Sequence, residues 1–187
     1  MVEMAIVISL FLALVFGIIE FSLVIFNWSR VVEATRVGAR YAIVNDPACD
    51  IYGTSEGVAC AGGPLVCDSA STEFNPLEDV NVAGDCEFAE PYTIDNAACS
   101  IVEQMRRQQP LIETSVGANV KISYSCSDAG FSGLAQTIPV VKVSTSGVQY
   151  RFIVPGILGL DNVAITMPPF ETTRTGEDLG TVLPAPP

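Results

Sequence analysis

Two carboxylates, Glu3 and Glu20, stand where carboxylates are costly. They sit at the edge of and inside the run Met4 to Phe26, MAIVISLFLALVFGIIEFSLVIF, whose one charged residue is Glu20. A carboxylate in hydrocarbon is expensive unless it is paired or neutralised. Two readings of the pair are open. Each carboxylate takes a positive partner from a neighbouring chain, or each lies at a boundary, Glu3 among headgroups and Glu20 near the far interface. A third reactive set is the cysteines, Cys49, Cys60, Cys67, Cys86, Cys99 and Cys126, all downstream of the apolar run.

The chemistry that these residues exclude is broad. The chain has no His, so it has no Ser–His or Cys–His couple and no histidine metal ligand. No two cysteines have C-x-x-C spacing, which argues against zinc and thioredoxin-like redox chemistry. No Gly-rich phosphate loop is present. The expectation is a protein that is not an enzyme and holds no cofactor and no metal. An even number of cysteines is read as up to three disulfides in an oxidising compartment, with the pairing left open. Net charge is −12, and there is no basic stripe for nucleic acid. Residues 46–95 hold eleven acids and no Lys or Arg, read as a solvated face; EF-hand spacing for calcium is missing.

The elements that must position these groups begin with one long helix over about residues 2–44. Its first half is apolar at every angle, so residues 4–26 need lipid or other copies around them. From Asn27 the pattern becomes amphipathic. Trp28, Val31, Val32, Thr35, Ala39 and Ala42 recur at helical steps, with Arg30, Glu33, Arg36 and Arg40 on another face. Asn45-Asp46-Pro47 stops it. Residues 46–95 read as irregular and disulfide-braced. Asp95 is the expected cap of a short helix ending near Gln109, before Pro110, with the Arg106-Arg107 doublet on its exposed side.

The period then switches to two. Residues 116–126, 138–145, 148–154 and 163–167 read as four strands. Their short connections favour an antiparallel sheet with one face covered by the helices. The tail 168–187, with its Pro and Thr, is too polar to build a core alone. The fold class expected is therefore α+β: a hydrophobic helix within residues 1–45 and an acidic extracytoplasmic domain over 46–187.

Charge placement creates a conflict. Arg30, Arg36 and Arg40 lie just after the apolar run, which would put the downstream domain in the cytoplasm. The cysteines require an oxidising side. A basic leader, removed to leave Met1 as a processed end, resolves it.

The first 44 residues resemble the amino-terminal region of type IV pilin-like proteins, most closely the TadE-like pseudopilins of tight-adherence pili. The residues carrying the resemblance are Met1-Val2-Glu3-Met4-Ala5, the apolar run with Phe16-Gly17-Ile18-Ile19-Glu20-Phe21, and Glu33-Ala34-Thr35-Arg36-Val37-Gly38-Ala39-Arg40-Tyr41-Ala42. The resemblance implies a leader cut by a dedicated membrane peptidase, and a helix that leaves the inner membrane to bundle in a filament core. It implies that Glu3 pairs with a free α-amino group such as that of Met1. Many related pilins carry this acid fifth; here it is third. Glu20 would then face Arg30 or Arg36 of a neighbour, or stay protonated. It further implies a homo-oligomeric surface filament used in adhesion, extruded by an external motor. The competing expectation is a single-pass anchored extracytoplasmic domain that binds a ligand and does not polymerise.

Overall fold

A computed structural model describes residues 2–45, 47–49, 74–76, 80–81, 86, 97–115, 117–126, 139–157 and 163–175. Met1, Cys60, Cys67 and Asp95 lie outside the described residues. In chain order the elements are helix α1 (Val2–Val44), strands β1 (Phe74–Pro76) and β2 (Val80–Asn81), and helices α2 (Ala97–Gln108) and α3 (Leu111–Thr114). Next come strands β3 (Asn119–Cys126), β4 (Pro139–Ser146) and β5 (Gln149–Arg151), then helix α4 (Ile153–Ile157) and strands β6 (Ala164–Thr166) and β7 (Phe170–Thr175). The class is α+β.

The main sheet is antiparallel, in the order β1-β3-β4-β7, with β2 also paired to β3. Its centre is the β3–β4 ladder, in which Val120, Ile122 and Tyr124 face Thr145, Val143 and Val141. These six side chains are all buried. The alternation in β3 puts them on one face while Asn119, Lys121 and Ser125 are half-exposed on the other. The β4–β5 turn needs Gly147. Its φ is +72°, and a Cβ there would lie 2.0 Å from the Gly117 carbonyl oxygen.

The second half of α1 fills the covered face of this sheet and is clasped by α2 on its other side. On the sheet side, Thr35 Oγ1 donates to the Val31 carbonyl and meets Thr145 Oγ1 at 2.9 Å. A hydroxyl has one proton, so Thr145 is the donor in that pair. Ala34, Ala39 and Ala42 are fully buried as well. A Cβ on Gly38 would lie 2.6 Å from Met105 Cγ and Sδ, so the two helices approach closely because position 38 has no side chain. Past the end of α1, the Ala48 N–H donates to the Tyr124 hydroxyl at 2.7 Å. Burial pushes the Tyr124 phenol up to about 12, against the opposing effect of that bond. A disulfide joins Cys86 to Cys99 in α2, 13 residues apart. A loop of that size contributes about 3 kcal/mol through the unfolded chain. Cys49 is disulfide-bonded as well.

Several expectations need correction. Arg107 is exposed as expected, but Arg106 is half-buried and neither is a lone charge. Glu103, 1% exposed, accepts Arg106 Nε at 2.7 Å and Arg107 Nε at 3.0 Å, while Arg106 Nη1 reaches Glu113 of α3 at 2.7 Å. Trp28 is exposed, not turned inward. The strand expected over 148–154 ends at Arg151, and helix α4 replaces its last residues. Strand β6 leaves the main sheet and pairs with β5 alone. The region 46–95 contains β1 and β2. The polar tail supplies β7, an edge strand ordered by its ladder to β4 and by the Lys142–Glu171 ion pair.

The Glu103 cluster yields a test. Burial alone would raise its carboxyl; hydrogen bonds from Arg106 and Arg107, with their charges, outweigh this and hold it below the usual range. A depressed folded pKa contributes stability that is present above about pH 4.3 and is lost as pH falls through the folded value. Arg106→Ala is expected to lower stability by about 1.5–3 kcal/mol at neutral pH, the range for hydrogen bonds to a charged group, measured by denaturant unfolding of the full chain in detergent. Glu103→Gln is expected to flatten the acid limb of stability against pH. Unchanged midpoints in both variants would remove the cluster from the account of the fold.

Candidate functional site

The functional surface is the first half of α1. Fifteen large apolar residues between Met4 and Trp28 are exposed. Covering each is worth about 1 kcal/mol or more at half its full burial value. Their sum in water is on the order of 15 kcal/mol, comparable with the whole stability of a domain. The helix therefore requires a second apolar medium. Among the described residues it is the one helix long and apolar enough to cross a membrane, Glu3–Val44, with a window of mean hydropathy 2.6.

Its polar groups are fitted to such a medium. Ser9, Ser22 and Ser29 each donate to the carbonyl four residues back, at 2.8–2.9 Å. Asn27 Nδ2 does the same to Leu23. These hydroxyls and the amide thus ask little of their surroundings.

Glu20 is the exception, and the domain answers it. The residue is 6% exposed. Its Oε1 accepts the backbone N–H of Ile153 at 2.7 Å and of Val154 at 2.5 Å; its Oε2 accepts the Tyr150 hydroxyl at 3.2 Å. The two N–H groups open α4, whose first turn has no intrahelical acceptors for them. Glu20 thus acts as an N-cap supplied from far along the chain, and Pro155 falls in the first turn where proline is tolerated. This explains why the strand stops at Arg151. Tyr150 is held in place by an edge-on contact with Phe152, centroids 5.6 Å apart. Burial, then the charge of Glu20 and the hydrogen bond to it, raise the Tyr150 phenol.

A second join lies two to three turns higher. Arg30 Nη2 and Nε donate to the Gln108 carbonyl at 2.8 and 3.2 Å, placing a cation at the C-terminus of α2. Its guanidinium also lies 5.7 Å over the Phe26 ring. Gln109 Nε2 donates to Asn27 through its carbonyl and its side-chain oxygen.

The structure separates the residues singled out from sequence. Glu20 and Arg30 are engaged within their own chain: Glu20 by hydrogen-bond donors, Arg30 by a carbonyl and a ring. Arg36 pairs with Glu33 at 3.6 Å, both half-exposed. Glu3 is exposed, with no ion pair among the described residues. Met1 lies outside them. Sequence reasoning missed Tyr150, Ile153 and Val154. The available signal was Glu20 itself, since a carboxylate that must be buried requires donors.

Residues 1–40 match the family model of TadE-like proteins. The match ends four residues before α1 does, so the TadE-like segment is the rod and not the domain that rides on it. No curated protein and no solved structure matches the chain. The apolar helix suggests membrane anchoring, and the TadE-like match covers it as far as residue 40.

The join at Glu20 can be probed directly. Glu20→Ala is expected to leave the part-buried Ile153 and Val154 N–H groups without this acceptor, a loss of about 1 kcal/mol for each. Hydrogen exchange of the peptide covering residues 150–157, read by mass spectrometry in detergent, is expected to accelerate while β3 and β4 keep wild-type protection. Equal exchange at 150–157 in the two proteins would deny Glu20 its capping role.

Proposed function

We propose that this protein is a pilin or pseudopilin of a Tad-like surface filament, polymerising through α1 and serving attachment to surfaces. The observation that supports this reading is the exposed apolar half of α1, carried on a TadE-like segment. In the membrane, lipid covers it. In a filament, equivalent helices would cover it and the acidic domain would stand outside. Lipid tails are as apolar as the helix, so burial alone does not drive bundling there; close packing at Ala5, Ala13 and Gly17 and polar pairing must contribute. Extraction from the bilayer exceeds what spontaneous exchange supplies. A peptidase that processes the precursor and an external motor are therefore the partners of this reading, and the chain itself is structural rather than catalytic.

Glu3 is the acid left for assembly. It is exposed, near the chain start, and on the part of the rod that no domain residue covers among the described residues. Its partner in this reading is the α-amino group of a neighbouring subunit's Met1. Glu3→Ala is expected to leave the protein in the inner membrane and to remove it from the sheared surface fraction. Wild-type amounts of sheared filament from that mutant would refute the pairing. Filaments that never contain this chain, even in the wild type, would leave an anchored monomeric domain as the reading.

The described disulfide Cys86–Cys99 closes within one chain. Filaments held by their helices are therefore expected to survive reductant and still pellet. Dissolution in reductant alone would place the cohesion in cystines between chains.

A further inference from the structure

We infer that in the membrane-inserted protein the β5–β6 hairpin and the first turn of α4 rest on the bilayer surface, so that the lipid boundary falls at Glu20 rather than at the end of the apolar run. The inference rests on the reading of α1 as a membrane span and adds a second lipid-contacting element. Four observations converge on one level of the molecule. From Val2 to Glu20 the helix rises about 27 Å, close to a hydrocarbon core of about 30 Å. Above Glu20 the domain begins to cover the rod, since Leu23 and Val24 are half-buried against its core.

The elements that hold Glu20 also present apolar side chains outward. Ile153 is 55% exposed, Val163 44% and Ile165 45%. Ile165 is the register partner of Tyr150, so it shares the face of the hairpin that Tyr150 turns toward α1. The patch is therefore continuous with the lipid-covered surface of the rod. Finally, Phe21 is exposed one residue above Glu20, and Phe26 and the interface-favouring Trp28 are exposed about 9 and 12 Å above it along the helix. Arg151 is exposed on β5, on the face opposite Tyr150. A hairpin with this composition facing water would be a liability; at the acyl–headgroup boundary it anchors the domain.

Trp28 is the chain's one tryptophan, which makes the test clean. On a Trp28→Phe background, single probes are introduced as Ile165→Trp, Val163→Trp, Phe11→Trp and Thr173→Trp. The full chain is reconstituted in phosphatidylcholine–phosphatidylglycerol vesicles containing lipids brominated near the headgroup or near the chain end. The probes at 165 and 163 are expected to be quenched most by the shallow bromines, as a depth of about 5–10 Å into the boundary requires. The probe at 11 is expected to be quenched by the deep ones, and the probe at 173 by neither. Quenching at 11 with none at 165 or 163 overturns the inference and keeps the span. No quenching at 11 overturns the span and the inference together. Blue-shifted emission at 165 without bromine quenching assigns the patch to a second copy of the chain, and also overturns it. The probe at 163 stands in if Ile165→Trp does not fold.

Discussion

A single carboxyl group marks where this molecule changes surroundings. Below Glu20 the rod meets no domain among the described residues and offers exposed apolar side chains; above it, one side of the rod belongs to the domain's core. A buried carboxyl at such a seam has to find donors, and the domain provides them from Tyr150 and the opening turn of α4. The same contact stops a strand, starts a helix and fixes where the β5–β6 hairpin stands. Much of the lower part of the fold is arranged by this requirement.

Above the seam, small residues take the place that large ones hold in most cores. Ala34, Ala39 and Ala42 are buried along the rod, Gly38 lets α2 come close to it, and the Thr35–Thr145 hydroxyl pair joins it to the sheet. Around this clasp, polar groups are satisfied internally. Glu103 is held by two arginines, and Arg30 closes the end of α2. The domain is thus fastened to the rod at two heights, by hydrogen bonds whose partners are distant in sequence.

Much of the architecture was legible in the residues. The rod announced itself by its apolar run, and its amphipathic second half by the Arg30-Glu33-Arg36-Arg40 stripe, whose last three members do face out with Arg30 beside them. Strand β3 could be read from its alternation and β4 as the run 138–145, with Ser146-Gly147 marking the exit of β4. What was illegible depended on partners far along the chain. Nothing local in Ile153-Val154-Pro155 specifies a helix until Glu20 caps it. The Arg106-Arg107 doublet looks solvated until Glu103 is known to point inward. Phe170 to Thr175 lacks the composition of a core strand, yet an edge position beside β4 tolerates its polar side chains. For the site, sequence singled out Glu3 and Glu20 but could not say which donors lay within reach of Glu20.

Fastening at two heights removes the swivel between rod and domain. An α-helix turns about 100° per residue, so each face of α1 carries a fixed compass bearing relative to the sheet. Whatever grips the rod by one side also dictates which way the acidic surface looks. Slipping that grip by a single residue would swing the domain through more than a quarter of a circle. The outward appearance of any assembly built on this rod is therefore encoded in the azimuth at which its greasy end is held.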